Sequence, residues 1–409
     1  MSVDFAQAYW PHIEAARWFS GKSRGGVPRG HVVLGTYSQE PLVRSELVRV
    51  DYPDGGRENY HLLVGFSAEE RPGSLAQTDL GWASDATDDP VAMGIVLRAI
   101  QSGTTSGELT CHSTGADRLD PELPPRRHKG EQSNTSVFFG DEAMLKVFRK
   151  LEPGRNLDVE LHEALAHTGA VAELYGWIAT PDHDLAMLVE ALPQPVDGYA
   201  LATQHVGDDF SSDAAALGVA LAHVHRGLAD ALGTSSIDGG VLAGVLKARA
   251  ESASQDAPQI LDHLPGITTV FDTLSGRRLA TQRVHGDFHL GQTLKTPEGW
   301  RIVDFEGEPM KSMDERRAMD SPWRDVAGLL RSIDYAAATR DDIDTTDWRQ
   351  ATRDAFLRAY CEAMNVSEDA ALPAYELEKA VYEVVYEVRN RPHLVGVPLS
   401  FITTTLKES

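Results

Sequence analysis

The stretch VHGDFHLGQTLKTPEGWRIVDFEGEP, residues 284–309, decides the prediction of the fold. It places several carboxylates, two histidines and a glutamine close together in a chain whose formal net charge is already −23. A surface hairpin with solvated charges would explain such a stretch. So would a site whose missing positive charge arrives with a metal ion and a phosphate, because a bound cation reverses the local charge balance. The chemistry of single positions distinguishes the two interpretations.

The stretch predicts a β-hairpin with functional groups at fixed points. The segment VHGDFH predicts a strand that ends in a glycine turn, with Asp287 at the tip, and WRIVDFEGEP predicts a second strand that ends in Asp304. Phosphoryl transfer needs a carboxylate that orients or deprotonates the attacking hydroxyl, together with oxygen ligands for Mg²⁺. Asp287 suits the first role, and Gln292 and Asp304 suit the second. The ordered set favours phosphoryl transfer over an acidic surface hairpin.

A cation for the phosphates is present upstream. TSVFFGDEAMLKVFRKL predicts two strands, and Lys146 lies within the second among apolar neighbours, where a lysine is costly unless it is paired. The following segment, DVELHEALAHTG, predicts a helix that offers Glu160 and Glu163 as partners, and we favour Glu160. An edge-strand lysine that points to solvent is the alternative. Lys146 lies 141 residues before Asp287, a separation that is typical of kinase-like chains.

Two further segments are candidates for nucleotide contacts. The loop before the first of these strands has no Gly-x-Gly pattern, so hydroxyl and backbone N–H groups would have to bind the phosphates. The candidates there are Ser133, Asn134, Thr135 and Ser136. In MLVEALPQP, an apolar strand that runs into a proline-broken hinge, the backbone near Glu190, Ala191 and Leu192 could bind adenine.

Composition excludes several classes of protein. A chain of 409 residues exceeds one hydrophobic core, which predicts two or three subdomains. The 61 acidic against 38 basic residues argue against a nucleic-acid partner, and no apolar stretch approaches the roughly 20 residues that span a bilayer. Cys111 and Cys361 lie far apart without metal-ligand spacing, which favours a reducing compartment. We therefore expect a cytoplasmic protein without membrane or nucleic-acid partners.

The residues resemble the aminoglycoside-phosphotransferase-like kinases, a branch of the protein-kinase-like fold. Their HGDxHxxN motif is matched from His285 to Gln292, with Gln in place of the usual Asn. ARWFSGK, DSPWRDVAGLLRSIDYAA and YELEKAVYEVVYEVRNRP narrow the resemblance to the actinobacterial maltokinases and their glucosamine-kinase relatives. The resemblance implies an α+β, bilobal fold with an N-terminal cap subdomain in a monomer. Residues 1–115 would form the cap, 116–194 the N-lobe and hinge with the ATP-binding elements, and 195–409 the helical C-lobe with the catalytic loop and the sugar site.

The same resemblance implies roles for single residues, with ATP and Mg²⁺ as cofactors. Asp287 would be the catalytic base, Gln292 and Asp304 would hold magnesium, and Lys146 with Glu160 would form the phosphate-positioning ion pair. Asp325 would brace the catalytic loop. The candidates for sugar contacts are His289, Glu306, Arg324, Tyr382, Glu383, Glu387, Arg389 and Asn390.

The sequence leaves the acceptor open. The leading hypothesis is phosphorylation of glucosamine to glucosamine 6-phosphate, because the chain is shorter than most maltokinases and because Trp323 replaces a smaller aliphatic residue of their pattern. The alternative is a maltokinase that makes maltose 1-phosphate for glycogen or α-glucan synthesis, and an aminoglycoside phosphotransferase ranks third. A pseudokinase should have lost Asp287, Lys146 or Asp304, yet all three are present. A metallohydrolase that uses His285 and His289 lacks the helix that would aim both at zinc.

Overall fold

The computed structural model describes residues 4–130, 133–308 and 311–408. By their contacts the residues form two compact units. Unit 1 comprises residues 1–163 and 172–193, and unit 2 comprises residues 164–171 and 194–409. The three-part division from the sequence, with boundaries near 115 and 194, stays a prediction.

Unit 1 contains two antiparallel sheets and three helices. Its elements are α1 Phe5–Ala15, β1 Val27–Gln39, β2 Leu42–Asp51, β3 Arg57–Ser67, β4 Ser74–Thr78, β5 Gly81–Asp85, α2 Pro90–Gln101, β6 Thr105–Ser106, β7 Leu109–Ser113, β8 Pro125–Arg127, β9 Thr135–Phe139, β10 Ala143–Val147, β11 Lys150–Leu151, α3 Leu157–Ala164, β12 Leu174–Ala179 and β13 Asp184–Glu190.

The first sheet has the strand order β1-β2-β3-β5-β4, and the short strand β11 pairs with β3. A turn at residues 54–56 joins β2 to β3, and Gly55 adopts a φ of 84°, a left-handed conformation that costs glycine little. Helix α1 buries Tyr9 and Ile13 in one apolar cluster with Val48 and Tyr60 of the sheet. These side chains form the first core of unit 1.

The second sheet has the order β6-β7-β12-β13-β10-β9-β8, which places β10, the strand with Lys146, between β13 and β9. Its core contains Leu145, Val147 and Leu188 together with Met93 of α2. Strand β7 pairs with β12, so the structure joins residues 109–113 to this second sheet, although the sequence division placed them in the first part.

Unit 2 is mostly helical, as the resemblance implies for residues 195–409. Its elements are β14 Val196–Asp197, α4 Gly198–Gln204, α5 Ser211–Leu232, β15 Thr234–Asp238, α6 Gly239–Asp256, α7 Leu264–Asp272, β16 Arg278–Gln282, β17 Thr293–Thr296, β18 Gly299–Ile302, α8 Met313–Arg317, α9 Trp323–Ala337, α10 Thr346–Met364, α11 Leu372–Asn390 and α12 Gly396–Glu408. Helix α5 packs along α10, and α9 packs along α11. None of the helices in the described part of the chain is long and apolar enough to cross a bilayer.

The hairpin of unit 2 differs from the prediction. Its strands are β17 and β18, with Thr293 paired to Ile302, whereas VHGDFH lies in an irregular loop after β16. The loop is not a strand because the backbone N–H groups of His285 and Gly286 donate to the carboxylate of Asp325, not to a neighbouring strand. The hairpin thus follows the catalytic loop and does not contain it.

Candidate active site

The catalytic loop, residues 283–292, is held by the buried carboxylate of Asp325 on α9. Its Oδ2 accepts from the backbone N of His285 at 2.8 Å, and its Oδ1 accepts from that of Gly286 at 2.9 Å. His225 Nε2 lies 3.0 Å from the same Oδ2. Asp325 is fully buried, a position that is costly for a carboxylate unless several donors surround it. The expectation that Asp325 braces the loop is therefore confirmed.

Both ring nitrogens of His285 serve the same loop. Nε2 lies 3.0 Å from the carbonyl oxygen of Val303, to which it donates, and Nδ1 faces the backbone N of Asp287 at 3.4 Å. In His289, Nδ1 accepts from the backbone N of Gly291 at 3.1 Å. His285 thus has no nitrogen left for a metal ion, which removes the two-histidine zinc site from the alternatives.

Asp287 lies in the loop with its side chain about one-fifth exposed. Its Oδ1 accepts a hydrogen bond from Lys379 Nζ at 3.1 Å. Burial works to raise the pKa of Asp287, but the charges of Lys379 and His289 outweigh it and hold the pKa below its ordinary value. A carboxylate that stays ionised at neutral pH can accept a proton from an acceptor hydroxyl.

Gln292 and Asp304 lie together at the open end of the β17–β18 hairpin. The backbone N of Val303 donates to the carbonyl of Gln292 at 3.0 Å, and Gln292 Nε2 lies 3.3 Å from Asp304 Oδ2. Asp304 has a φ of 66°, a left-handed conformation that is unusual outside glycine and is often found at functional sites. Rotation of the Gln292 side-chain amide would place its oxygen, in place of Nε2, beside the carboxylate of Asp304. Amide and carboxylate oxygens are the ligands that Mg²⁺ prefers. The two residues therefore fit a magnesium ion.

In unit 1, Lys146 has a partner that the sequence analysis missed. Its Nζ lies 2.7 Å from Oδ2 of Asp158, which is buried at the start of α3. Burial works to raise the pKa of Asp158, but Lys146 and His162 lower it far below the ordinary value. The role of Glu160, two residues further along α3, stays a prediction. Asn156 accepts from the backbone N of Asp158 and so marks the start of α3. An asparagine at a helix start is visible in the sequence, and it could have drawn attention to Asp158 in the first turn.

The predicted phosphate loop is only partly available. Thr135 is buried and its Oγ1 accepts from Arg149 Nε at 2.8 Å, and Asn134 Oδ1 lies 3.4 Å from the backbone N of Arg149. The side chain of Thr135 is therefore structural, which corrects its assignment to the phosphates. Ser136 pairs with Lys146 in the sheet, so both side chains lie on one face. Ser133 and Ser136 keep their predicted role as proposals.

The hinge also differs in detail from the prediction. The backbone N of Glu190 donates to the carbonyl of Glu173 at 2.8 Å, and that of Ala191 donates to Glu142 at 3.0 Å. These N–H groups hold the strand ends together and are not free for adenine. The contact of adenine with Leu192 stays a prediction.

Three of the predicted sugar contacts line a cavity of about 360 Å³ in unit 2. Helices α6 and α11 form its walls, and Tyr382, Arg389 and Asn390 line it together with Glu308, which the sequence analysis did not consider. Lys379 Nζ lies 3.4 Å from Glu308 Oε1, so the lysine bonded to Asp287 also reaches the cavity wall. The acceptor can therefore be sought here.

Three other predicted sugar contacts are structural instead. Arg331 Nη2 donates to Glu383 Oε2 at 2.8 Å, and Tyr335 donates to Glu387 at 3.0 Å. Arg324 is buried between Asp320 and Glu378. On α11 both Glu383 and Glu387 are therefore buried.

The remaining candidates lie nearer to the loop. His289 follows Asp287 by two residues, and burial lowers its pKa, which favours the neutral imidazole. Glu306 is half-buried, and its backbone carbonyl accepts from Arg316 Nη1 at 3.3 Å. Their sugar contacts stay predictions.

Comparisons with known proteins agree with this geometry. No family model matches the sequence. A glucosamine kinase from Streptacidiphilus jiangxiensis is 29% identical over 324 residues, which cover 68% of this chain and 72% of that enzyme. A glucosamine kinase from Mycolicibacterium smegmatis is 25% identical over 418 aligned positions, which cover 89% of this chain and 98% of that enzyme.

Solved structures share the fold. A glucosamine kinase in complex with glucosamine, ADP and inorganic phosphate has a TM-score of 0.72 and 22% identity, with 99% of both chains covered. A further crystal form of a glucosamine kinase has a TM-score of 0.76 at 22% identity, with 99% of this chain and 100% of that one covered. The chain therefore has the protein-kinase-like fold of these solved structures, and its sequence is similar to those of two glucosamine kinases.

Proposed function

We propose that this chain is an ATP-dependent kinase that phosphorylates glucosamine to glucosamine 6-phosphate. The observation that carries the proposal is the placement of Asp287. Its loop is fixed by Asp325 through two backbone hydrogen bonds, and its carboxylate lies beside the cavity wall through Lys379 and Glu308. The similarity to two curated glucosamine kinases supports the choice of sugar.

In the proposed reaction Asp287 orients the acceptor hydroxyl and takes its proton. The hydroxyl oxygen forms a bond to the γ-phosphorus of ATP, and the bond from that phosphorus to the bridging oxygen of ADP breaks. Gln292 and Asp304 would hold magnesium, which when bound supplies positive charge for the phosphate oxygens. Lys146, which Asp158 holds in place, contributes a cation for the nucleotide phosphates.

The cavity supplies the acceptor site in this proposal. It is at the lower end of the roughly 300–1,000 Å³ that is usual for small-ligand pockets. Its wall includes the carboxylates of Asp256, Glu308, Glu315 and Glu378. A carboxylate forms a charge-assisted hydrogen bond with an ammonium group. Glucosamine has such a group and maltose has none.

The test measures ADP release by the purified protein with ATP and Mg²⁺, against glucosamine, maltose, glucose, N-acetylglucosamine and kanamycin in parallel. We expect turnover with glucosamine well above that with the other four. Phosphorus NMR of the product then shows whether the 6-hydroxyl carries the phosphate. Turnover with maltose alone would replace the proposal by a maltokinase, and turnover with kanamycin alone by an aminoglycoside kinase.

Asp287→Asn is the matched variant for this test. It preserves the shape of the side chain but removes the charged base, so we expect kcat to fall by at least about 1,000-fold while ATP still binds. Asp344→Asn, in an exposed carboxylate that accepts from the backbone N of Thr346, is the control and should keep wild-type turnover. Wild-type turnover in Asp287→Asn would contradict the catalytic assignment.

A monomeric state and a cytoplasmic location complete the proposal. Both cysteines are free thiols, with Cys111 buried, which suits a reducing compartment. Light scattering coupled to size exclusion should give the mass of one chain, 44.6 kDa.

A further inference from the structure

Lys379 lies near the middle of α11, 92 residues after Asp287, and reaches the catalytic loop from another element. Its Nζ lies 3.1 Å from Asp287 Oδ1 and 3.4 Å from Glu308 Oε1. The ring of Tyr382, one turn further along the helix, is centred 4.8 Å from the same nitrogen. The lysine thus bridges the proposed base and a carboxylate of the cavity wall.

The lysine is charged despite its burial. Only 16% of its side chain is exposed, and an ammonium in such a place is costly unless carboxylates face it. Burial works to lower the pKa of Lys379, but Asp287, Glu308 and Glu383 outweigh it and raise the pKa above the ordinary value. Both directions favour the charged forms of Lys379 and Asp287 at neutral pH.

The two carboxylate oxygens of Asp287 differ in their contacts. Lys379 occupies Oδ1, and the described part of the chain provides no hydrogen bond to Oδ2. A carboxylate that is held by one oxygen in a fixed ion pair presents the other in a fixed direction. Oδ2 is the oxygen that remains for the proton of an acceptor hydroxyl.

We propose that Lys379 is a positioning residue for phosphoryl transfer, which acts through Asp287 by fixing the direction of its free oxygen. The inference rests on the proposed function, because it assigns the base role to Asp287. It goes beyond that function because the loop motif contains no lysine next to its aspartate, and α11 supplies the cation from a distant part of the chain. Phosphoryl transfer depends on positioning more than on covalent chemistry, so the angle of this carboxylate should affect kcat.

The test compares Lys379→Met, Lys379→Gln and Lys379→Arg with the wild type. We expect kcat with glucosamine to fall about 100-fold in Lys379→Met, with the KM for ATP unchanged within about twofold. Lys379→Gln, which can still donate a hydrogen bond, should fall less, and Lys379→Arg should recover part of the activity through its charge. Lys247→Met is the matched control, because Lys247 also forms an ion pair, with Asp272, but does not line the cavity, and it should keep wild-type kcat.

The pH profile adds a readout that a purely structural lysine would not change. The charges of Lys379, His289 and His285 act on Asp287, and Asp287 in turn adds to the burial that raises the pKa of Tyr382. Removal of Lys379 removes the strongest opposing charge, so the acidic limb of kcat/KM should move to higher pH in Lys379→Met and stay in place in Lys247→Met.

The outcomes separate this inference from the proposed function. If the wild type does not turn over glucosamine, the proposed function fails. If the wild type is active and both neutral variants keep its kcat and its pH profile, the inference on Lys379 is wrong and the function stands. If Lys379→Met does not fold, as thermal unfolding would show, the same comparison is decided by Lys379→Gln.

Discussion

The catalytic loop and helix α11 both keep charged groups in the interior of unit 2, but they are held in different ways. The loop depends on one residue, because Asp325 accepts from two backbone N–H groups and from His225. Helix α11 depends on several side-chain ion pairs, including Glu378 with Arg324 and Glu383 with Arg331. A single substitution should therefore disable the loop, whereas the helix should lose its stability in steps.

The largest effect on stability should come from Asp325→Ala. The N–H groups of His285 and Gly286 would lose their acceptor in a fully buried place, which should lower the free energy of unfolding by roughly 3–5 kcal/mol. Because Asp287 would lose its fixed position, kcat should fall at least about 100-fold. Urea unfolding and ADP release measure the two effects. An unfolding cost under about 1 kcal/mol with normal kcat would show that the loop does not depend on Asp325.

A smaller effect is expected from Arg331→Met on the helix side. Glu383 would stay buried without its arginine and Asp334 would keep only Arg353, at a cost of roughly 3 kcal/mol in the free energy of unfolding. Adding Glu383→Gln to the same chain should restore part of that loss, and a double-mutant cycle by urea unfolding measures the coupling.

The same variants test whether Glu383 contacts the sugar. Glu383→Gln alone should leave the KM for glucosamine within about threefold of the wild type, because its partner is Arg331. A KM raised tenfold without a change in stability would return Glu383 to the sugar site.

The pH dependence of stability should show the smallest change. Burial works to raise the pKa of Glu378, but Arg324 and Arg249 lower it from 4.5 to about 2. Between these values the unfolded chain binds the proton and the folded chain does not, so the contribution of Glu378 is complete above about pH 4.5 and is lost as the pH falls towards 2. The shift corresponds to roughly 3 kcal/mol at most, spread over that range.

Glu378→Gln measures this contribution. Urea unfolding at pH 6 and at pH 3 should show a smaller loss of stability on acidification in the variant than in the wild type. Glu362→Gln, in an exposed carboxylate on α10, should lose as much as the wild type. Equal losses in all three proteins would mean that Glu378 keeps an ordinary pKa in the fold.

The sequence predicted what is contiguous along the chain. The protein-kinase-like fold is confirmed, and the predicted similarity to glucosamine kinases is found in two relatives, since the loop motif from His285 to Gln292 is a local pattern. The role of Asp325 was also predicted, because its motif has a fixed place after the loop. The strand boundaries around Asp287 were wrong. In a strand the backbone N of His285 would donate to a neighbouring strand, but here it donates to Asp325 of α9.

What the sequence did not predict depends on pairs far apart in the chain. Lys379 and Asp287 are separated by 92 residues, and a lysine in an amphipathic helix usually faces water. The direction of Glu383 and Glu387 was missed for a related reason, because the donors that make their burial possible, Arg331 and Tyr335, lie on α9. Spacing along α11 shows which residues share a face, but the partner across the interface decides which face is inside.

The two-residue strand β11 makes the first sheet of unit 1 inseparable from the strand that carries Lys146. The chain leaves β10 at Val147 and by Lys150 is already paired with Tyr60 of β3, and between them Arg149 is fully buried against Asp85. A shortened protein without the first sheet would leave this guanidinium without its counter-charge beside the nucleotide elements. A protein engineered to carry the strand of Lys146 must therefore also contain the first sheet.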